Sequence, residues 1–244
     1  MRTVIRLALS AALLLAPASP LLAQAALDPS GHWTGAIHVP PFNGASAREI
    51  GIDIDIARTA GGALEATFSQ AAQNIKGLPL GKVTLEGKSV SFELKANGGG
   101  LFKGTLADAK TMSGEFVTSE GGYTIPFDLA RTGDAQIPAA PKSVAIGKEL
   151  EGTWSGTVEF GGKQERLVLK LTNRADGTSA GTILDLDGSN VDIPIAVTQK
   201  AASVTVEVSS VSASFTGVLN GNELTGTWNQ GPLTLPLTFT RGAK

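Results

Sequence analysis

Residues 31–35 read "GHWTG" and residues 152–156 read "GTWSG". The chain has three tryptophans, and two of them occupy the same five-residue frame 121 positions apart. Laying the second half on the first extends the match along both copies. "IGIDIDI" (50–56) falls on "LVLKLTN" (167–173), "GLPLGKV" (77–83) on "DIPIAVT" (192–198), and "SVSFELK" (89–95) on "SVTVEVS" (203–209). Further on, "LFKGTL" (101–106) meets "SFTGVL" (214–219), "MSGEF" (112–116) meets "LTGTW" (224–228), and "YTIPFDLAR" (123–131) meets "LTLPLTFTR" (233–241). The offset drifts only from 121 to 110, mostly between strand-like runs, where loops tolerate deletion. The chain therefore reads as an internal duplication. One copy spans residues 27–132, a second spans 149–242, and an Ala- and Pro-rich segment over 133–148 reads as a semi-rigid linker.

Within each copy the apolar residues recur at every second position. Ile50, Ile52, Ile54 and Ile56 alternate with Glu49, Gly51, Asp53 and Asp55, and Val90, Phe92 and Leu94 alternate with Ser89, Ser91 and Glu93. Leu167, Leu169 and Leu171 repeat the pattern in the second copy, as do Leu233, Leu235, Leu237 and Phe239. One face is buried and the other wet, which is the signature of antiparallel strands. Turn signals such as "AGG" (60–62), "EGK" (86–88), "NGGG" (97–100), "ADG" (175–177) and "NGN" (220–222) separate the runs. The expected fold is all-β: two tandem small antiparallel up-and-down β-barrels of about eight strands each, closure removing the exposed edges.

Composition narrows the setting. Arg2 and Arg6 precede an apolar run from Leu7 to Leu15, and Ala23-Gln24-Ala25 offers small residues for cleavage. Residues 1–25 thus read as a signal peptide, too short for a membrane span, and the protein is expected in the periplasm or secreted. There are no cysteines, which excludes disulfides, thiolate metal sites, cysteine nucleophiles and a lipid-anchoring thiol. A formal net charge of −2 without basic clusters speaks against nucleic acid or an anionic membrane surface as partner.

A Gly-x-Trp on the first strand with an Arg ending the last resembles the lipocalin and calycin pattern. The resemblance implies that Trp33 and Trp154 close one end of each barrel, with Arg131 and Arg241 packed across them. Such a contact gains about 0.5–2 kcal/mol from cation–π attraction. Taken end to end, each copy is similar to a lipocalin-like module of bacterial exported proteins that often precedes a serine hydrolase domain. The chain departs from that module at "FSQAAQ" (68–73) and "LDLDGS" (184–189), and it stops three residues after Arg241, so the resemblance implies an accessory role without the hydrolase.

The residues that could carry chemistry read as structural. "GTSAG" (177–181) matches a nucleophile elbow, but Asp176-Gly177 turns a hairpin and the following "TILDL" is strand-like, so Ser179 reads as part of a turn. His32 and His38 share one strand face some 20 Å apart at ~3.3 Å per residue, too far for one metal ion, and read as solvent-facing. Asp53 and Asp55 read as a solvated strand face, and Asp185 and Asp187 as a surface loop. Phe92, Phe127, Phe215 and Phe239, with Phe68 and Phe102, lie on apolar strand faces where they could line a ligand cavity or fill the interior. No cofactor or metal is expected. The expectation is a non-catalytic exported protein that holds a small hydrophobic molecule in a barrel, near the mouth away from Trp33 or Trp154. The alternatives are a module that engages another exported protein through loops and outer face, and a cryptic ester hydrolase using Ser179. Oligomeric state stays open.

Overall fold

The alternating runs become antiparallel strands that close into two rings. The computed structural model describes residues 27–95, 99–160, 162–188 and 191–242. The expected signal peptide (1–25) lies outside them, as do Asn97 and Gly98 of the "NGGG" turn. The first copy forms β1 (Gly31–Val39), β2 (Arg48–Arg58), β3 (Leu64–Gln70), β4 (Ile75–Pro79), β5 (Gly81–Glu86), β6 (Ser89–Leu94), β7 (Gly100–Leu106), β8 (Thr111–Thr118) and β9 (Thr124–Gly133). Their order in the sheet is β4-β3-β2-β1-β9-β8-β7-β6-β5. β4 and β5 act as one bent strand, and this closes the ring. β4 pairs with β3 and β5 with β6, while the Leu80 N–H between them donates to the Ala66 carbonyl at 2.9 Å.

After a short β10 (Ser143–Val144), the second copy forms β11 (Gly152–Phe160), β12 (Lys163–Asn173), β13 (Thr178–Asp185), β14 (Ile193–Lys200), β15 (Ser203–Val208), β16 (Ala213–Asn220), β17 (Glu223–Gln230) and β18 (Leu233–Arg241). Here β14 is unbroken and pairs with both β13 and β15. Both rings are up-and-down barrels of eight antiparallel strand positions. The structural register moves one sequence match. Trp33 faces Ile54 and Trp154 faces Leu169, so Leu167 corresponds to Ile52 rather than Ile50. A slip of two residues leaves a period-two pattern unchanged, which is why alternation alone misplaced it.

One end of each barrel is sealed in the same way. Trp33 and Trp154 are fully buried, and their indole N–H groups donate to the carbonyls of Pro29 at 2.8 Å and Leu150 at 2.9 Å. Arg131 pairs across from Trp33 and Arg241 across from Trp154. The Arg241 guanidinium carbon sits 4.4 Å from the Trp154 ring centroid, and a guanidinium N–H donates to the Glu151 carbonyl. Arg131 lies instead against Gly31, whose φ of 151° and missing Cβ leave room for the guanidinium. The first glycine of the frame thus exists for the arginine.

The linker is more tightly held than its composition implies. β10 pairs with β13, Asn173 brackets Ile146 through both its N–H and its carbonyl, and Ile146 and Leu150 are buried. On the side of the first barrel, the Gln136 N–H donates to Asp55 at 2.7 Å.

The second glycine of the frame marks a close strand crossing, since a Cβ on Gly35 would overlap the backbone carbonyl of Asp128. Gly51, on the neighbouring strand, has open space where its Cβ would go. Gly35→Ala is therefore expected to lower unfolding free energy by about 1–3 kcal/mol. Gly51→Ala should stay within about 0.5 kcal/mol of wild type in the same urea titration.

Candidate functional site: the mouth of the second barrel

Matching register makes the two interiors directly comparable. In the first barrel Phe92, Phe102 and Phe116 lie on successive paired strands, and in the second the same positions hold Val206, Phe215 and Trp228. Phe68, opposite Ile54, is replaced by Ile183, opposite Leu169. Phe127, opposite Gly114, is replaced by Leu237, opposite Gly226. In the first barrel Phe102 packs on Phe92, Phe116 and Phe127 with centroids 4.9, 4.5 and 5.3 Å away, so the interior is filled. In the second, Phe215 packs on Phe239 at 5.3 Å, and three rings have become aliphatic.

The second barrel is correspondingly hollow at its mouth. A cavity of about 890 Å³ opens there, at the end away from Trp154, within the range of about 300–1,000 Å³ usual for small-molecule sites. Its body is aliphatic: Val158, Leu167, Ile183, Ile193, Val208 and Leu235. Trp228, only 8% exposed, forms one wall, and its indole N–H is turned to Gln230 at 3.4 Å. The first barrel borders the opening, contributing Leu78 from β4 and Lys95 and Glu120 from loops. The two barrels are joined at this seam. The Ser212 hydroxyl donates to the Asn74 carbonyl at 3.2 Å, and Lys163 pairs with Glu120 at 3.6 Å.

The rim carries charge that alternation places inward. Glu165 is on the same strand face as Leu167, Leu169 and Leu171, and Asp185 is across from Leu167. Both line the cavity. At the position of Glu165, opposite Val158, the first barrel has Ile50, opposite Ile37. Burial first, then the neighbouring Asp185 and Asp187 carboxylates, push the Glu165 carboxyl above its ordinary range, against a smaller opposing pull from Lys163. Asp187 behaves oppositely: Arg166 grips it through Nε and Nη2 at 2.6–3.1 Å and holds its carboxyl low.

The residues singled out from sequence lie elsewhere. Trp33, Arg131, Trp154 and Arg241 form the sealed ends, and Phe92, Phe127, Phe215 and Phe239 are buried core; none of the eight lines the cavity. Ser179 is on β13 rather than in a turn, fully buried, its hydroxyl donating to the Val144 carbonyl at 2.9 Å. Asp55 is not solvated: it is 5% exposed, and one carboxylate oxygen accepts from Gln136 and contacts His32 Nδ1 at 2.8 Å. His32 is accordingly half-buried rather than solvent-facing, and His38 sits between Asp128 and Glu49, the latter at 3.4 Å. Asp185 lines a cavity instead of a plain surface loop. Among the described residues no group of three or more His, Asp or Glu is placed to hold a metal ion. The signal for the missed site was present in the repeat: aliphatic residues where the first copy has phenylalanine, and an acid in phase with inward leucines.

The chain matches no protein-family model and no curated protein. Among solved structures it is similar to a candidate outer membrane protein from Bacteroides fragilis NCTC 9343, at 12% identity and a TM-score of 0.29, over 87% of this chain and 97% of that one. It is also similar to a protein of unknown function from the DUF3598 family of Nostoc punctiforme PCC 73102, at 13% identity and a TM-score of 0.27, over 88% and 96% of the two chains. Neither likeness reaches the level of a shared arrangement, and neither bears on function.

Two titrations follow from this electrostatic picture. The hydrogen bond to Asp128, aided by charge from Asp128 and Glu49, raises the His38 pKa above its ordinary value. That interaction stabilises the fold fully below the ordinary histidine pKa of about 6.5, and the contribution is lost as pH rises through the raised value. An NMR titration should show His38 titrating above His in the unfolded chain, with Asp128→Asn moving it down. Glu165 has the same sign: its raised pKa means that the ionised form destabilises the fold at neutral pH. Glu165→Gln should melt at higher temperature than wild type at pH 7, the gap closing as pH falls to about 4.

Proposed function

We propose that this protein is an exported, non-catalytic binding protein that holds a small apolar molecule in the mouth of its second barrel. The observation that carries the reading is the aliphatic cavity of about 890 Å³ at a position where the duplicate copy is filled with phenylalanine. Apolar walls supply affinity by removing ligand surface from water, and a few polar groups at the rim orient it. The lipocalin-like resemblance of the Gly-x-Trp and terminal Arg frames supports a barrel interior as the site. The signal-peptide pattern supports a periplasmic or secreted location. Core apolar and outer charged residues, such as Ile54 against Asp53 and Phe102 against Lys103, are the inverse of a lipid-facing barrel. Among the described residues no helix is long and apolar enough to cross a membrane.

A second reading, a module that engages another exported protein, has one observation in its favour. Phe42 and Tyr123, each 58% exposed, meet edge-to-face at 5.8 Å on adjacent loops of the first barrel. Aromatic pairs of this kind are enriched in interface cores.

The neutral dye Nile red should bind the purified protein in a saturable way, brighten, and quench emission from Trp228. Ile183→Phe restores the ring that the first barrel carries at Phe68 and should weaken binding about tenfold or more by filling the cavity. If Nile red neither brightens nor raises the melting temperature, and long-chain alcohols also fail to stabilise the protein, the ligand-binding reading falls.

A further inference from the structure

The cavity mouth holds two inward acids with little counter-charge: Lys163 exerts a pull on Glu165 that is smaller than the burial and repulsion opposing it. Each cation around it is occupied: Lys163 faces Glu120 at 3.6 Å, Lys95 faces Glu93 at 3.3 Å, and Arg166 is locked on Asp187. Glu165 and Asp185 form no ion pair among the described residues. Asp185 accepts the backbone N–H groups of Asp187 at 3.0 Å and Gly188 at 2.9 Å on one oxygen, and its other oxygen makes no bond there. Glu165 makes no hydrogen bond among the described residues. Both side chains line the aliphatic cavity.

We propose, resting on the ligand-binding reading above, that the ligand is an amphiphilic cation, with an aliphatic body in the cavity and a protonated amine between Glu165 and Asp185. Two carboxylates side by side at the edge of an apolar cavity lose hydration and repel each other. An ammonium group there replaces the lost water with charge-assisted hydrogen bonds and cancels the repulsion. A fatty-acid carboxylate would bring a third negative charge to the same place and is disfavoured. The closed barrel supports this assignment independently. Its interior is packed with phenylalanine, and at the position of Glu165 it holds Ile50, a residue that simply packs.

Three ligands with one tail separate the head group from the tail: octylamine, 1-octanol and octanoate, titrated calorimetrically into the purified protein at pH 7.5. Octylamine is expected to bind about tenfold or more tighter than octanol, as charge-assisted bonds imply, and octanoate weaker than octanol. In a Glu165→Gln, Asp185→Asn double variant, the preference for octylamine over octanol should be lost. Octanol binding with no amine preference would overturn the cation assignment and leave the ligand-binding reading standing. An amine preference that survives the double variant would overturn the assignment to Glu165 and Asp185. Failure of all three ligands to bind would overturn both readings.

Discussion

Closing eight antiparallel strands into a ring sets the interior volume before any inward side chain is chosen. An eight-stranded ring is just wide enough to be filled by side chains or to hold one small ligand, so inward residues decide between the two. At one end the two copies choose identically: a fully buried tryptophan, its N–H on a carbonyl four residues back, and an arginine across from it. That end is sealed by a side chain too large to be replaced without a cavity costing about 3–5 kcal/mol. Divergence is therefore concentrated at the other end. There the first copy builds a four-ring phenylalanine cluster beside Phe68; the second has Val206 for Phe92, Leu237 for Phe127 and, on the cavity wall, Ile183 for Phe68.

The exchange is not uniform shrinkage. Trp228 is larger than Phe116, its counterpart, and Phe239 larger than Leu129. Phe239 sits deep, against Phe215, and packs the lower interior. Trp228 stands at the cavity wall with its N–H toward Gln230, an apolar surface with one polar edge. Mass has moved to the floor and to one wall, and the space lies between them. The first barrel, filled with side chains, then borders the opening: Leu78 and Glu120 line it, and Lys163 ties across the seam.

Much of this was legible in the residues. Period-two alternation and turn chemistry gave the strands, and the repeated Gly-x-Trp frame with its terminal arginine gave the count of barrels and their sealed ends. Other features were hidden for definite physical reasons. A two-residue slip preserves alternation, so the match of Ile52 to Leu167 needed the observed pairing with Gly35 and Gly156. The linker has no amphipathic period because it docks through backbone and single side chains, such as Ser143 on the Val197 N–H at 2.8 Å and Asn173 on Ile146. That docking is also what buries Asp55, a residue whose strand position alone marks it as wet. An open and a filled interior share one hydrophobic pattern, so the cavity emerges only when the two copies are compared position by position.

Glu165 is where fold and function pull apart. A strand whose inward row reads Glu165, Leu167, Leu169, Leu171 breaks its own pattern at the mouth, and the other copy shows that an isoleucine satisfies the same position. An inward carboxylate loses hydration and gains no packing, and beside Asp185 it gains repulsion, so folding alone gives no reason for it. Sequences that are otherwise consistent with their fold tend to break a local rule where a site demands it. The acid coincides with the hollow barrel, the aromatic wall and a neighbouring carboxylate that forms no ion pair among the described residues. The proposed ligand, apolar along its length and positive at its end, would account for all four.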